Sequence, residues 1–132
     1  MSTPDRLETL MLELGFHFDS LGDGLWLIHD EADHLDNVVL QLADPVVMLR
    51  VKLFELGSGN NSALFQRLLE LNATDMLHGA YGLDGDAVIL IDSLEVENLD
   101  GNELQASIDA MSLALTQHYP LLKDMRSTEA GE

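Results

Sequence analysis

Apolar positions in this chain recur with two periods, and the switches between them mark out its elements. Leu7, Leu10, Met11 and Leu14 fall at i, i+3, i+4 and i+7, one stripe of an amphipathic helix facing a core. Thr3-Pro4 suits the start of that helix, since Thr can cap and Pro fits the first turn, and Gly15 suits its stop. The period then drops to two. Phe16 and Phe18 alternate with His17 and Asp19, Gly22-Asp23-Gly24 supplies a turn, and Leu25 to Ile28 returns as a second strand. The segment from His29 to Asp36 breaks the pattern as a polar connector. Two longer strands follow, Asn37 to Leu42 and Val46 to Leu56, divided by Asp44-Pro45 because proline cannot donate within a ladder. In the second of these the odd positions Val47, Leu49, Val51 and Leu53 make one apolar face.

The helical period returns after a flexible stretch, Gly57 to Ser62, that ends in an Asn or Ser cap. From Ala63 to Asn72 the residues Leu64, Phe65, Leu68, Leu69 and Leu71 give a broad apolar face, which predicts a helix sandwiched between other elements. Gly79 to Leu83 and Ala87 to Ile91 flank Asp84-Gly85, a strong hairpin signal, and the second strand runs on through Val96. The near-continuous apolar run 87–91 predicts burial on both faces, one against a helix and the other against a second subunit. A third helix opens at Asp100-Gly101 with Glu103 placed for a capping box, carries Leu104, Ile108, Met111 and Leu115 on one stripe, and ends or kinks at Pro120.

The order is therefore α-β-β-β-β-α-β-β-α. Short turns imply antiparallel pairing, and the fold class expected is α+β, an antiparallel sheet with the helices packed on one face. One domain over residues 1–126 and a flexible acidic tail at 127–132 complete the organisation.

Charge narrows the function. Twenty-four acidic against 6 basic residues give a net charge of −18, which repels phosphate backbones and anionic lipid surfaces. Cysteine is absent, so thiolate metal sites and disulfides are excluded. No apolar run approaches the roughly 20 residues of a membrane span, and the first residues lack the basic start and apolar block of a secretory signal, so a cytoplasmic location is expected.

Candidate chemistry is sparse. The 29–36 segment holds His29, His34 and four carboxylates, but its spacing matches neither a helical zinc pair nor a calcium loop. The glycine-rich Gly57-Ser58-Gly59 lacks the Lys-Ser/Thr pair of a phosphate loop. An enzyme would need a nucleophile, an acid–base pair or a metal; His78, His118 and the Asp84/Asp86 pair are available, and a metal-dependent enzyme is the competing reading. Arg50 and Lys52 share one strand face, either neutralising neighbouring carboxylates or receiving an acidic group.

The stretch Leu68-Leu69-Glu70-Leu71-Asn72, Gly79, Tyr81 to Asp84 and Val88-Ile89-Leu90 resembles the class I type III secretion chaperones of the CesT/Tir-chaperone-like superfamily. In that superfamily a helix ending in Leu-x-x-Asn leads into a hairpin with a glycine-centred turn. His78 to Gly82 and Leu94 to Leu99 resemble the bacterial YjfI-like proteins within it, with the YbjN-like regulators a near neighbour. The extra strand material at 16–56 departs from the secretion chaperones. The resemblance implies a non-catalytic, dimeric protein-binding module, without cofactor, acting as a chaperone, adaptor or regulator. The YjfI-like resemblance adds an envelope-stress context with PspA-like proteins. The candidate partner contacts are Val46, Met48, Arg50, Lys52, Phe54, Val88, Leu90, Leu94 and Met111.

Overall fold

A computed structural model describes residues 2–30, 35–76 and 78–126. Nine elements follow in the expected order: α1 (Thr3–Glu13), β1 (His17–Gly22), β2 (Leu25–Asp30), β3 (Leu35–Ala43), β4 (Val46–Glu55), α2 (Ser62–Thr74), β5 (Ala80–Asp84), β6 (Ala87–Glu95) and α3 (Gly101–Met125). The strands form one antiparallel sheet in the order β1-β2-β3-β4-β6-β5. Helix α2 carries the chain from β4 past the place of β6 to the edge, so β6 returns to fill the gap.

Register decides what each strand buries. Trp26, Leu40, Val47, Leu49, Val51, Val88 and Leu90 fall on one face and join Leu7, Met11, Leu64, Leu68, Leu104, Ile108 and Met111 in a single core. All three helices therefore lie on that face. Ser107 of α3 donates to Asp92 of β6 at 2.6 Å, and Trp26 Nε1 donates to Glu8 of α1 at 2.7 Å, so polar contacts tie both helices to the sheet.

Several boundaries differ from expectation. Ser2, not Thr3, caps α1; its hydroxyl accepts from the Asp5 N–H at 3.2 Å. Strand β2 runs on to Asp30 and β3 begins at Leu35, because ladder pairing takes in both ends of the expected polar connector, with Asp30 opposite Leu35. Residues 31–34, with His34, lie outside the described residues, as does the tail 127–132. In β4 the register against β6 shifts between Lys52 and Phe54, so the buried series is 47, 49, 51 and then 54. Such a bulge inserts one residue and inverts the alternation beyond it. Phe54 thus takes the core position that period two assigns to Leu53.

Helix α2 is not sandwiched. Leu64, Leu68 and Leu71 are buried, whereas Phe65 is 37% and Leu69 69% exposed. Asn61 stands at its N-cap but its side chain turns back to the Gly57 carbonyl (2.8 Å), and the Asn60 side chain instead accepts from the Ser62 N–H (2.9 Å). Pro120 does not end α3, which continues to Met125. An internal proline costs about 3 kcal/mol; complete burial of Leu122 two residues further on opposes that cost. Asp100 caps α3 as expected, accepting from the Glu103 N–H at 2.9 Å.

Candidate protein-binding surface

The second face of the sheet carries no helix among the described residues. The same registers place Leu25 and Leu27 of β2, Val39 of β3, Val46 and Met48 of β4, and Ile89 and Ile91 of β6 on it. Six of these are half-buried by their neighbours alone. Ile89 is only 6% exposed yet stands outside the core cluster, because it sits between Lys52 on β4 and Gly82 on β5. A shallow depression of about 110 Å³ is lined by Val39, Gln41, Met48 and Arg50.

Arg50 crosses β6 from β4 and donates to Asp84 of β5 at 2.8 Å, while Lys52 donates to Glu55 at 3.0 Å. Both cations therefore already have carboxylate partners, each pair solvent-exposed. Such pairs contribute roughly 0–1 kcal/mol and are readily exchanged.

The nine residues proposed from sequence separate into two groups. Val46, Met48, Arg50 and Lys52 share the open face. Val88, Leu90 and Met111 are completely buried in the core, Phe54 is 7% exposed within it, and Leu94 packs against it. The second group is therefore internal, and a partner meeting the folded chain cannot touch its three fully buried members.

A polar network holds the β5 end together, and sequence reasoning missed it. Asn72, near the end of α2, accepts from the Tyr81 N–H at 2.7 Å and donates to the Tyr81 carbonyl at 3.0 Å. One side chain thus satisfies both outward backbone groups of an edge-strand residue, where another strand would otherwise pair. The Tyr81 hydroxyl meets His118 Nδ1 at 2.8 Å, and His118 Nε2 meets Asp75 at 3.2 Å. Burial first, and the Asp75 charge second, push the Tyr81 hydroxyl well above the ordinary tyrosine range. The phenol therefore keeps its proton at neutral pH, and the His118 ring links it to Asp75. The network joins α2, β5 and α3 at this end of the sheet. Its only sequence signal is that His118 falls on the apolar stripe between Met111 and Leu122.

Gly79 precedes this edge with φ +76°, and a Cβ there would stand 2.6 Å from the Ile91 carbonyl. Only glycine lets the chain enter β5 so close to β6. Among the described residues no group of three or more His, Asp or Glu is arranged to hold a metal ion. No helix among them is long and apolar enough to cross a membrane.

An antiparallel six-stranded sheet with three helices on one face is the fold of the type III secretion chaperones, and solved structures bear this out. A chain of the heterodimeric ExoU-SpcU complex from the type III secretion system of Pseudomonas aeruginosa superposes with a TM-score of 0.72 at 16% identity, covering 89% of this chain and 98% of that one. The Yersinia pestis type III secretion chaperone SycH, solved with a stable fragment of YscM2, gives 0.61 at 20% identity over 92% and 99%. YbjN from E. coli, described as a candidate transcription regulator, gives 0.63 at 16% identity over 84% and 87%. At these identities the likeness is one of fold. The family model CesT_Tir_1 matches residues 2–128, and the chain belongs to that family. Among curated proteins none matches the sequence.

Proposed function

We propose that this protein is a non-catalytic chaperone- or adaptor-like module that holds an extended segment of a polypeptide partner on the open face of its sheet. The observation that carries this reading is that face itself: apolar residues from four strands, with no layer over them among the described residues. Exposed apolar surface of this kind marks interaction sites on otherwise polar proteins. Val46, Met48, Arg50 and Lys52 are the contacts proposed within it. A homodimer is part of the same reading, supported by the leftover apolar residues Phe65 and Leu69 on α2 and Leu83 on β5, which is 49% exposed. The YjfI-like resemblance supports beginning the partner search in the cytoplasm among PspA-like envelope-stress proteins.

Capture from native lysate by wild type and by Met48→Glu, read by mass spectrometry, tests the proposal. Partners retained by wild type and lost by the variant support it. An identical set on both sinks the open face as the binding surface. The likeness to YbjN favours a second reading, a regulator acting through a protein partner. The physics is the same; a captured transcription factor rather than a client would select it.

A further inference from the structure

A second concavity lies on the covered side, between β4 and the last turns of α3. Among the described residues Val51, Leu53, Leu115, Tyr119 and Pro120 form its apolar walls, and its volume is about 440 Å³, within the range of ligand-binding sites. Two local irregularities open it. The bulge in β4 puts Phe54 in the core position and leaves Leu53 only partly buried. Pro120 has no N–H to give the carbonyl of Thr116, four residues earlier, and Thr116 also lines the concavity. The site therefore offers apolar walls and one backbone acceptor that lacks its helical donor.

Two of the six basic residues stand beside it: Lys123 Nζ lies 5.9 Å from the centre of the Tyr119 ring, and the Arg126 guanidinium lies 5.6 Å from that of Phe54. Lys52 borders the wall on β4, but its side chain belongs to the open face. The Phe54 and Tyr119 rings are themselves 6.1 Å apart. Glu55 pairs with Lys52, whereas Lys123 and Arg126 have no carboxylate ion-pair partner among the described residues. Cation–π contacts leave most of a cation's charge available to a further partner.

We propose that this concavity receives a large apolar side chain of a bound polypeptide that carries an acidic residue beside it. A peptide N–H suits the Thr116 carbonyl, an aliphatic side chain suits the walls, and a carboxylate suits Lys123 and Arg126. The net charge of −18 favours a basic partner, but physiological salt limits such interactions to about 8 Å, so the local cations decide. The inference rests on the reading that the protein binds polypeptide, and it specifies the partner's side chains.

The test uses two fluorescent extended peptides, one alternating Leu with Glu and one alternating Leu with Lys, titrated by anisotropy at physiological salt. The proteins are wild type, Leu115→Trp to fill the concavity, Lys123→Glu, and Met48→Glu on the open face, each checked for folding by circular dichroism. The exposed Lys123→Glu keeps the test decisive if Leu115→Trp does not fold. The proposal expects the Leu–Glu peptide to bind wild type about tenfold more tightly than the Leu–Lys peptide, with that preference lost in Lys123→Glu and the binding lost in Leu115→Trp. Equal or opposite preference overturns it, as does unchanged binding in Leu115→Trp or in Lys123→Glu. If Met48→Glu abolishes binding while Leu115→Trp does not, the concavity fails as the site and the open-face reading survives. If the reverse holds, the concavity stands and the open face falls. Displacement by octanoate with no binding of either peptide makes this a small-molecule site and overturns the peptide assignment.

Discussion

The two faces of one sheet are made from the same strands, often from adjacent residues, yet they meet opposite fates. Leu90 is completely buried beneath the helices, while Ile91, the next residue, is half-buried on the open side. Leu49 is likewise buried and Met48 is not. Hydrophobicity does not separate them; coverage does. The covered face is what folds the protein, and the open face is what the helices leave uncovered among the described residues.

Substitutions at each position put that contrast to the test. The largest effect is expected on the covered face, where Leu90→Ala removes a fully buried side chain and lowers stability by about 2–5 kcal/mol in urea denaturation. A loss under 1 kcal/mol would mean that the core is not continuous at β6. Next comes the edge beside it. Asn72→Leu leaves the Tyr81 N–H and carbonyl without their partner and is expected to cost about 1–3 kcal/mol, with faster amide hydrogen exchange at Tyr81.

The third effect depends on pH. The folded state holds the Tyr81 proton more tightly than the unfolded chain. The stability this contributes is complete below the ordinary tyrosine pKa of about 10 and is lost as pH rises above it, at up to about 1.4 kcal/mol per pH unit. Tyr81→Phe is expected to flatten that slope in denaturation midpoints compared across alkaline pH. An unchanged slope would remove Tyr81 as its source. The smallest effect belongs to the open face: Met48→Ala is expected to move stability by no more than about 0.5 kcal/mol while weakening partner capture. A large loss there would show that the open face also stabilises the monomer.

Much of this architecture was legible in the sequence. The two periods located all nine elements, and the strong turns fixed the hairpins. The failures share a cause, since local pattern carries no information about what lies across a strand. Strand β4 reads correctly to Val51 and then inverts at a bulge that no residue announces. In β6 both phases of the alternation are apolar, so the sequence cannot say which phase the helices cover. Sequence alone therefore groups Val88 and Leu90 with Val46 and Met48, although the register puts them on opposite faces. Helix α2 shows the same ambiguity, its wide apolar arc being only half used by β5 and α3. Pro120 reads as a stop because the burial of Leu122 beyond it is a tertiary fact. Asn72 was visible as a helix-end residue, but its service to Tyr81 depends on a strand beginning eight residues later.

That service also sets how copies of this fold can join. An exposed strand edge at each end would let sheets extend without limit, the first step towards a fibre. Here the β5 margin is short and already occupied at Tyr81 by an asparagine side chain, so among the described residues lateral growth is favoured at β1. Two molecules meeting β1 to β1 would close a pair about a two-fold axis and present no free end to a third. A single carboxamide thus biases the molecule towards finite partnerships rather than open-ended aggregates.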